Sequence, residues 1–155
     1  MLQTKRIVLI FGKICSGKST YADALSYITK AKRITVSDVV KRVSGKISRS
    51  ELQTTSNLDT EIASELILEV DKYDKVVIDG IRQVSIVWTL INKFDRSNID
   101  MIWLEAADDV RRYRFYDRSI AKDDISFEQA DERDELLGLS EVAKVFESWY
   151  IKVNN

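Results

Sequence analysis

Histidine and proline are both absent from this 155-residue chain, cysteine occurs once and glycine five times. Each scarcity removes a class of protein. Without histidine there is no imidazole to serve as acid, base or metal ligand near neutral pH. Cys15, standing alone, forms no disulfide within the chain, which fits a reducing compartment. No apolar run reaches the roughly 18 residues of a membrane span. The N-terminus leads straight into a strand pattern, so a cytoplasmic chain without leader or membrane contact is expected. Length alone predicts one domain over residues 1–155. The net charge of −1 points to neither nucleic acid nor membrane, but the charges are segregated. From Lys30 to Arg49 there are seven basic residues and one acid, whereas from Glu105 to Glu135 acids outnumber bases eleven to six. A basic segment beside an acidic one suits a site that receives an anion.

What is present is an alternation of strand and helix patterns. Lys5–Phe11 (KRIVLIF) is a continuous apolar run, as in a strand buried on both faces. Lys18–Thr29 reads as a helix, Lys32–Val36 as a short strand, and Ser37 to about Val43 as a second helix. Ser44–Asn57 is polar and irregular in part. Leu58–Tyr73 carries Leu58, Ile62, Leu66 and Val70 at helical spacing. Lys75–Asp79 and Ile99–Leu104 read as strands around a helix over Val84–Phe94. Helices follow over Asp108–Ile120, Ser126–Leu137 and Ser140–Glu147, then a last strand over Trp149–Val153. Ser126 and Gln129 form a capping-box pattern. The alternation predicts an α/β/α three-layer sandwich around a parallel sheet of about five strands.

Two of the glycines fall in one loop, Gly12-Lys13-Ile14-Cys15-Ser16-Gly17-Lys18-Ser19, which is G-x-x-x-x-G-K-S between a buried strand and a helix. The glycines let the backbone curl its N–H groups inward around a phosphate, and the helix N-terminus adds its positive end. This P-loop predicts ATP and Mg²⁺ as cofactors. Lys18 reaches the β- and γ-phosphates, the Ser19 hydroxyl is the expected metal ligand, and Thr20 extends the helix start. Cys15 reads as a small loop residue, since no base can be named beside it. Asn92-Lys93-Phe94-Asp95 spells the N-K-x-D of guanine-reading proteins. It ends a helical stretch, however, and Gly80 directly after Asp79 leaves no D-x-x-G, so the match is a spacing accident.

Asp79 ends a buried strand, and ligands of parallel sheets sit outside the carboxyl ends of strands. It is a candidate to hold Mg²⁺ through water, to orient an acceptor, or to cap the helix that follows. Arg82 and Gln83 come directly after it and add anion-binding and amide groups. Asp38 follows another strand end. It is a candidate to accept an acceptor proton or organise the metal's water shell, or it is simply a helix N-terminal acid. Arg42, Arg49 and Gln53 are candidates for gripping the acceptor. In the helix from Asp108, Arg111, Arg114 and Arg118 fall within about 60° of one another. Val110, Tyr113, Tyr116 and Ile120 lie opposite, predicting a buried apolar face and an arginine stripe directed at the cleft or solvent. Such cations suit phosphoryl transfer, where charge develops on the moving group. Residues from about 111 to 130, with Asp123-Asp124, are then expected to form a short helical lid that excludes water.

Taken together, these residues resemble the P-loop nucleotide kinases. The phosphate loop, Asp79-Gly80-Ile81-Arg82, the Arg111/Arg114/Arg118 pattern, Asp123-Asp124 and Ala130–Leu136 with Gly138 look similar to a small archaeal family related to dephospho-coenzyme A kinase. Bacteriophage deoxynucleotide kinases look similar around Arg49 and Leu52-Gln53, and a third similar relative is the phage kinase that phosphorylates 5-hydroxymethyluracil within DNA. The resemblance implies that Lys18 and Ser19 handle ATP and Mg²⁺, that Arg114 and Arg118 belong to the lid, and that Arg82 lies near the transferred phosphate. It implies as acceptor a nucleotide-like small molecule, first a (deoxy)nucleoside monophosphate, with a base in DNA as the alternative. A nucleotide-binding regulator or slow ATPase is the third reading, against which the arginine stripe argues.

Overall fold

The computed structural model describes residues 5–44, 58–117 and 125–155. Strand β1 (Arg6–Gly12) lies at the centre of a sheet ordered β2-β3-β1-β4-β5, with β2 over Lys32–Thr35, β3 over Lys75–Asp79, β4 over Ile99–Glu105 and β5 over Tyr150–Asn154. Every pairing is parallel, as expected for strands separated by helices. The register sets Ile10 beside Asp79 and Gly12 beside Leu104, so the phosphate loop leaves the sheet between the ends of β3 and β4.

Alternation along β1 divides the core between two sheet faces. Ile7, Leu9 and Phe11 join one apolar cluster, whose helices are α2 (Val36–Ser44), α3 (Asp59–Asp71), α4 (Val84–Phe94) and α7 (Leu139–Val145). Ile10 joins Val77, Leu104 and Ala22 on the other face, beneath α1 (Lys18–Thr29). Helices thus cover both sides, the three-layer α/β/α arrangement expected. Burial at α4 follows the sequence pattern, with Ile86, Val87, Leu90, Ile91 and Phe94 turned inward. A third cluster of Ile14, Phe115, Phe127 and Ala130 joins the loop to α5 (Asp108–Tyr116) and α6 (Phe127–Leu137).

The element bounds agree with the sequence pattern to within a few residues. The capping box at α6 is present: Gln129 N–H donates to Ser126 Oγ at 3.2 Å, and Ser126 N–H to Gln129 Oε1 at 2.9 Å. α2 begins one residue sooner than expected, because the buried Val36 passes from β2 into the helix without a loop. The helix predicted to run to Ile120 is described to Tyr116, and the irregular stretch predicted after Ser44 falls on residues 45–57, outside those described.

One expectation is overturned. The apolar side of α5 is outside, with Val110, Tyr113 and Tyr116 at 38%, 69% and 59% exposure, while Arg111 and Phe115 are buried. A guanidinium replaces an apolar side chain here because its charge is met. Arg111 Nη1 donates to Asp131 Oδ1 at 2.9 Å and to the Ile14 carbonyl at 3.2 Å, and Nη2 to Asp108 Oδ1 at 2.8 Å. Its plane lies over Phe127 at 5.1 Å.

Candidate active site

Lys13, Ile14, Cys15 and Ser16 curl from the end of β1 to the N-terminus of α1. Gly12 tolerates no side chain: a Cβ there would lie 2.5 Å from Ser16 Oγ and 2.8 Å from the Leu104 carbonyl oxygen. Gly17, at φ 99°, occupies the left-handed region and opens the helix. Cys15 also takes a positive φ of 61°, and alternation of this kind turns successive N–H groups toward one concavity.

Side chains from distant elements fix this curl. Arg111 holds the Ile14 carbonyl, Arg114 Nη1 donates to the Cys15 carbonyl at 3.1 Å, and Asn155 Nδ2 donates to the Ser16 carbonyl at 2.9 Å. Three consecutive carbonyls therefore face outward, and in planar trans peptides the N–H groups that follow them face the other way, that of Ser16 being taken by the Lys13 carbonyl. The preceding peptide is turned oppositely: Ile14 N–H donates to Asp134 Oδ2 at 2.9 Å, and the Lys13 carbonyl accepts from Lys18 Nζ at 3.1 Å and from Ser16 N–H at 3.1 Å. Lys18 Nζ also donates to the Gly12 carbonyl at 2.8 Å, curling the lysine over the loop.

This cradle fits a nucleotide phosphate. α1 has no side-chain cap and no acid in its first turn, so the N–H groups of Lys18, Ser19 and Thr20 lie ahead of its first intrahelical bond, Tyr21 N–H to the Gly17 carbonyl. Ser16 Oγ is buried without a hydrogen-bond partner among the described residues. Enclosure lowers the Lys18 pKa from 10.5 to about 8; Asp134 opposes this, Arg82 adds to it, and Asp79 and Cys15 oppose it more weakly. An anionic phosphate would restore the full charge. The metal fit is looser. Ser19 is exposed at the helix start, and no group of three or more Cys, Asp or Glu residues able to hold a metal ion occurs among the described residues. Mg²⁺ would therefore rest on Ser19, phosphate oxygens and water, its usual manner.

The acceptor-side candidates are placed as follows. Asp79 is buried and already has a cation: Arg33 Nη2 lies 3.3 Å from Oδ2 and Nε 3.4 Å from Oδ1, and Thr35 Oγ1 donates at 3.3 Å. Arg33 also pairs with Asp23 on α1 at 2.8 Å. Asp38 is exposed in the first turn of α2, and Arg42 pairs with Glu69 of α3 at 3.4 Å. Arg82 Nε meets Asp134 Oδ1 at 2.9 Å, while Gln83 Oε1 folds back on the Arg82 N–H at 3.2 Å. Arg49, Gln53 and Arg118 lie outside the described residues, as do Asp123 and Asp124. The described flanks of the expected lid are tied to the loop through Arg111 and Arg114, and to each other through Arg111–Asp131.

Sequence reasoning gave no role to Asp134, Arg33 or Asn155. Asp134 had a signal. Phe127, Ala130, Asp134 and Leu137 share a 3/4 spacing, which sets an acid in an otherwise apolar stripe, and such an acid requires a buried partner. Arg33 and Asn155 act across 46 and 139 residues of chain, and nothing local marks them.

Among solved structures, a sugar kinase from Janibacter sp. HTCC2649 is similar over 97% of this chain and 85% of its own, at 14% identity and a TM-score of 0.57. A gluconokinase from Sinorhizobium meliloti 1021 is similar over 99% and 84%, at 13% identity and a TM-score of 0.58. The protein TT1252 from Thermus thermophilus is similar over 98% and 89%, at 18% identity and a TM-score of 0.61. At these identities the likeness is one of fold. No curated protein matches the sequence. Residues 8–138, which hold the phosphate loop, β3 with Asp79, and both helices that fix the loop, match the AAA domain, and the chain belongs to that family of P-loop proteins.

Proposed function

We propose that this chain is an ATP- and Mg²⁺-dependent phosphotransferase that moves the γ-phosphoryl group to a nucleotide-like acceptor, in the first place a (deoxy)nucleoside monophosphate. One observation carries the reading: Asp134 takes the Ile14 N–H of the phosphate loop at 2.9 Å and pairs with Arg82 Nε at 2.9 Å, which sets Arg82 beside the loop that carries Lys18. A phosphoryl group held by the loop meets two cations there, Lys18 of the loop and Arg82 of the turn after β3. Phosphoryl transfer asks little more of a protein than position and charge.

The loop amides and α1 hold the β-phosphate, Lys18 spans the β- and γ-phosphates, and Arg82 faces the group in transit. Mg²⁺ at Ser19 would add charge neutralisation across the same oxygens. The carboxylates favour a phosphate as acceptor. A phosphate monoester presents oxygens already ionised at neutral pH, so its attack needs no protein base. A hydroxyl acceptor does need one, and Asp79, paired with Arg33, is poorly suited; Asp38 would have to serve.

The DNA-base reading drew on the basic segment from Lys30 to Arg49. Two of its arginines are neutralised within the chain, Arg33 by Asp23 and Asp79 and Arg42 by Glu69, which leaves less charge for a phosphodiester backbone. The test is ADP release from ATP and Mg²⁺ with each nucleoside monophosphate, dephospho-coenzyme A and hydroxymethylated duplex DNA. Acceleration by a monophosphate is expected. Acceleration by the DNA alone would transfer the assignment to the base-directed reading, and ATP consumption indifferent to every acceptor would mark an ATPase or regulator.

A further inference from the structure

Asp134 is 2% exposed, on the α6 stripe that also carries Phe127 and Ala130. Enclosure takes water away from this carboxylate, and protein partners have to replace it. Among the described residues Asp134 meets two, each on its own oxygen: the Ile14 N–H donates to Oδ2 at 2.9 Å, and Arg82 Nε forms an ion pair with Oδ1 at 2.9 Å. The first belongs to the phosphate loop after β1 and the second to the turn after the neighbouring strand β3. Among the described residues neither Nη group of Arg82 has a hydrogen-bond partner, which leaves them to a second anion. Lys18 Nζ, folded onto the Gly12 and Lys13 carbonyls, is the loop's own cation for the same anion.

A purely mechanical role for α6 is already filled by a neighbour. Asp131, one turn earlier, pairs with Arg111, which holds the Ile14 carbonyl. That link braces the loop without touching Arg82. We propose that Asp134 is a positioning residue: it aims Arg82 at the phosphoryl group held by the loop, and it registers that arginine against the loop backbone through Ile14. The proposal rests on the phosphotransferase reading above.

The readout is discrimination for the γ-phosphate, the ratio of the ADP and ATP dissociation constants measured calorimetrically with Mg²⁺. A general loosening of the loop weakens both nucleotides and cancels in this ratio. Asp134→Asn is expected to lower the ratio roughly tenfold, the scale of one charge-assisted contact, as is Arg82→Ala. Added to Arg82→Ala, Asp134→Asn is expected to change it by less than about twofold, because the two act as one unit. Asp131→Asn, losing only the Arg111 pair, lowers the melting temperature and leaves the ratio intact. An unchanged ratio in folded Asp134→Asn, or a further full loss on top of Arg82→Ala, overturns the proposal. Should Asp134→Asn not fold, Arg82→Lys probes the same link, since lysine keeps the charge but has no Nε–H fork to be held. Its ratio should fall as far as that of Arg82→Ala, and a ratio within about twofold of the original overturns the proposal. Equal ATP binding by the unaltered chain and Lys18→Ala would instead remove the loop reading itself, and the proposal with it.

Discussion

On the phosphate-loop side of the molecule, every carbonyl from Gly12 to Ser16 accepts a hydrogen bond from the side chain of Lys18, Arg111, Arg114 or Asn155, and the Ile14 N–H is taken by Asp134. On the other side, α2 and α3 share apolar contacts through Val39, Ile62 and Leu66, and their polar link among the described residues is the half-exposed Arg42–Glu69 pair. Enclosed polar links fix one geometry, because breaking any of them strands a buried group. An exposed pair fixes little. The contrast suits the chemistry proposed: the triphosphate geometry is the same for every ATP, whereas an acceptor has to enter and leave.

Four measurements would sharpen or break that contrast. Lys18→Ala should have the largest effect, abolishing ATP turnover to at least about a hundredfold below the unaltered chain, the loss expected when a γ-phosphate cation goes. Arg111→Met comes next. It leaves Asp131 and the Ile14 carbonyl without their donor, and about 2–4 kcal/mol of stability should be lost in urea unfolding. If Arg111→Met is as stable as the parent, the loop is not held from outside.

ATP affinity should be level below pH 8 and then fall by up to about tenfold per unit, because only the Lys18 ammonium meets phosphate and its pKa is about 8. The ligand-free chain shifts in the opposite sense. Its unfolded form binds more protons than the folded one between about 8 and the ordinary 10.5, so this group's contribution raises stability with pH over that window. A flat affinity profile to pH 10 would show the lysine unperturbed. Arg42→Ala should do least, changing unfolding free energy by less than about 0.5 kcal/mol; a loss several times larger would show the acceptor side to be as rigid as the loop.

What could be read from the sequence was what is encoded nearby. β3, α1 and α4 have the bounds their apolar patterns predict, and the capping box of Ser126 and Gln129 closes within three residues. The phosphate loop was legible because its glycines, lysine and serine are contiguous. α5 misled. Its tyrosines and valine form an apolar stripe, yet the face that turned inward was decided by Asp131, Phe127 and the Ile14 carbonyl, none of them on the helix. Asp79 was found as a strand-end acid, but its partner Arg33 lies on a different strand. Periodicity reports what a segment prefers to bury; it does not report which charges will be neutralised after assembly.

The pins on the phosphate loop also order events in time. Residues 97 to 139 positions downstream supply the bonds to Ile14, Cys15 and Ser16. Synthesis runs from N- to C-terminus, so the loop emerges before its pins and lacks its full set of bonds until Asn155 has been made. β1, β3 and α1 can pack before then, so the nascent protein gains a core well ahead of a nucleotide site. Under the proposed function, ATP binding therefore reports the arrival of β5 and Asn155, and a ribosome-stalled series of lengthening chains would acquire it in one step as they emerge.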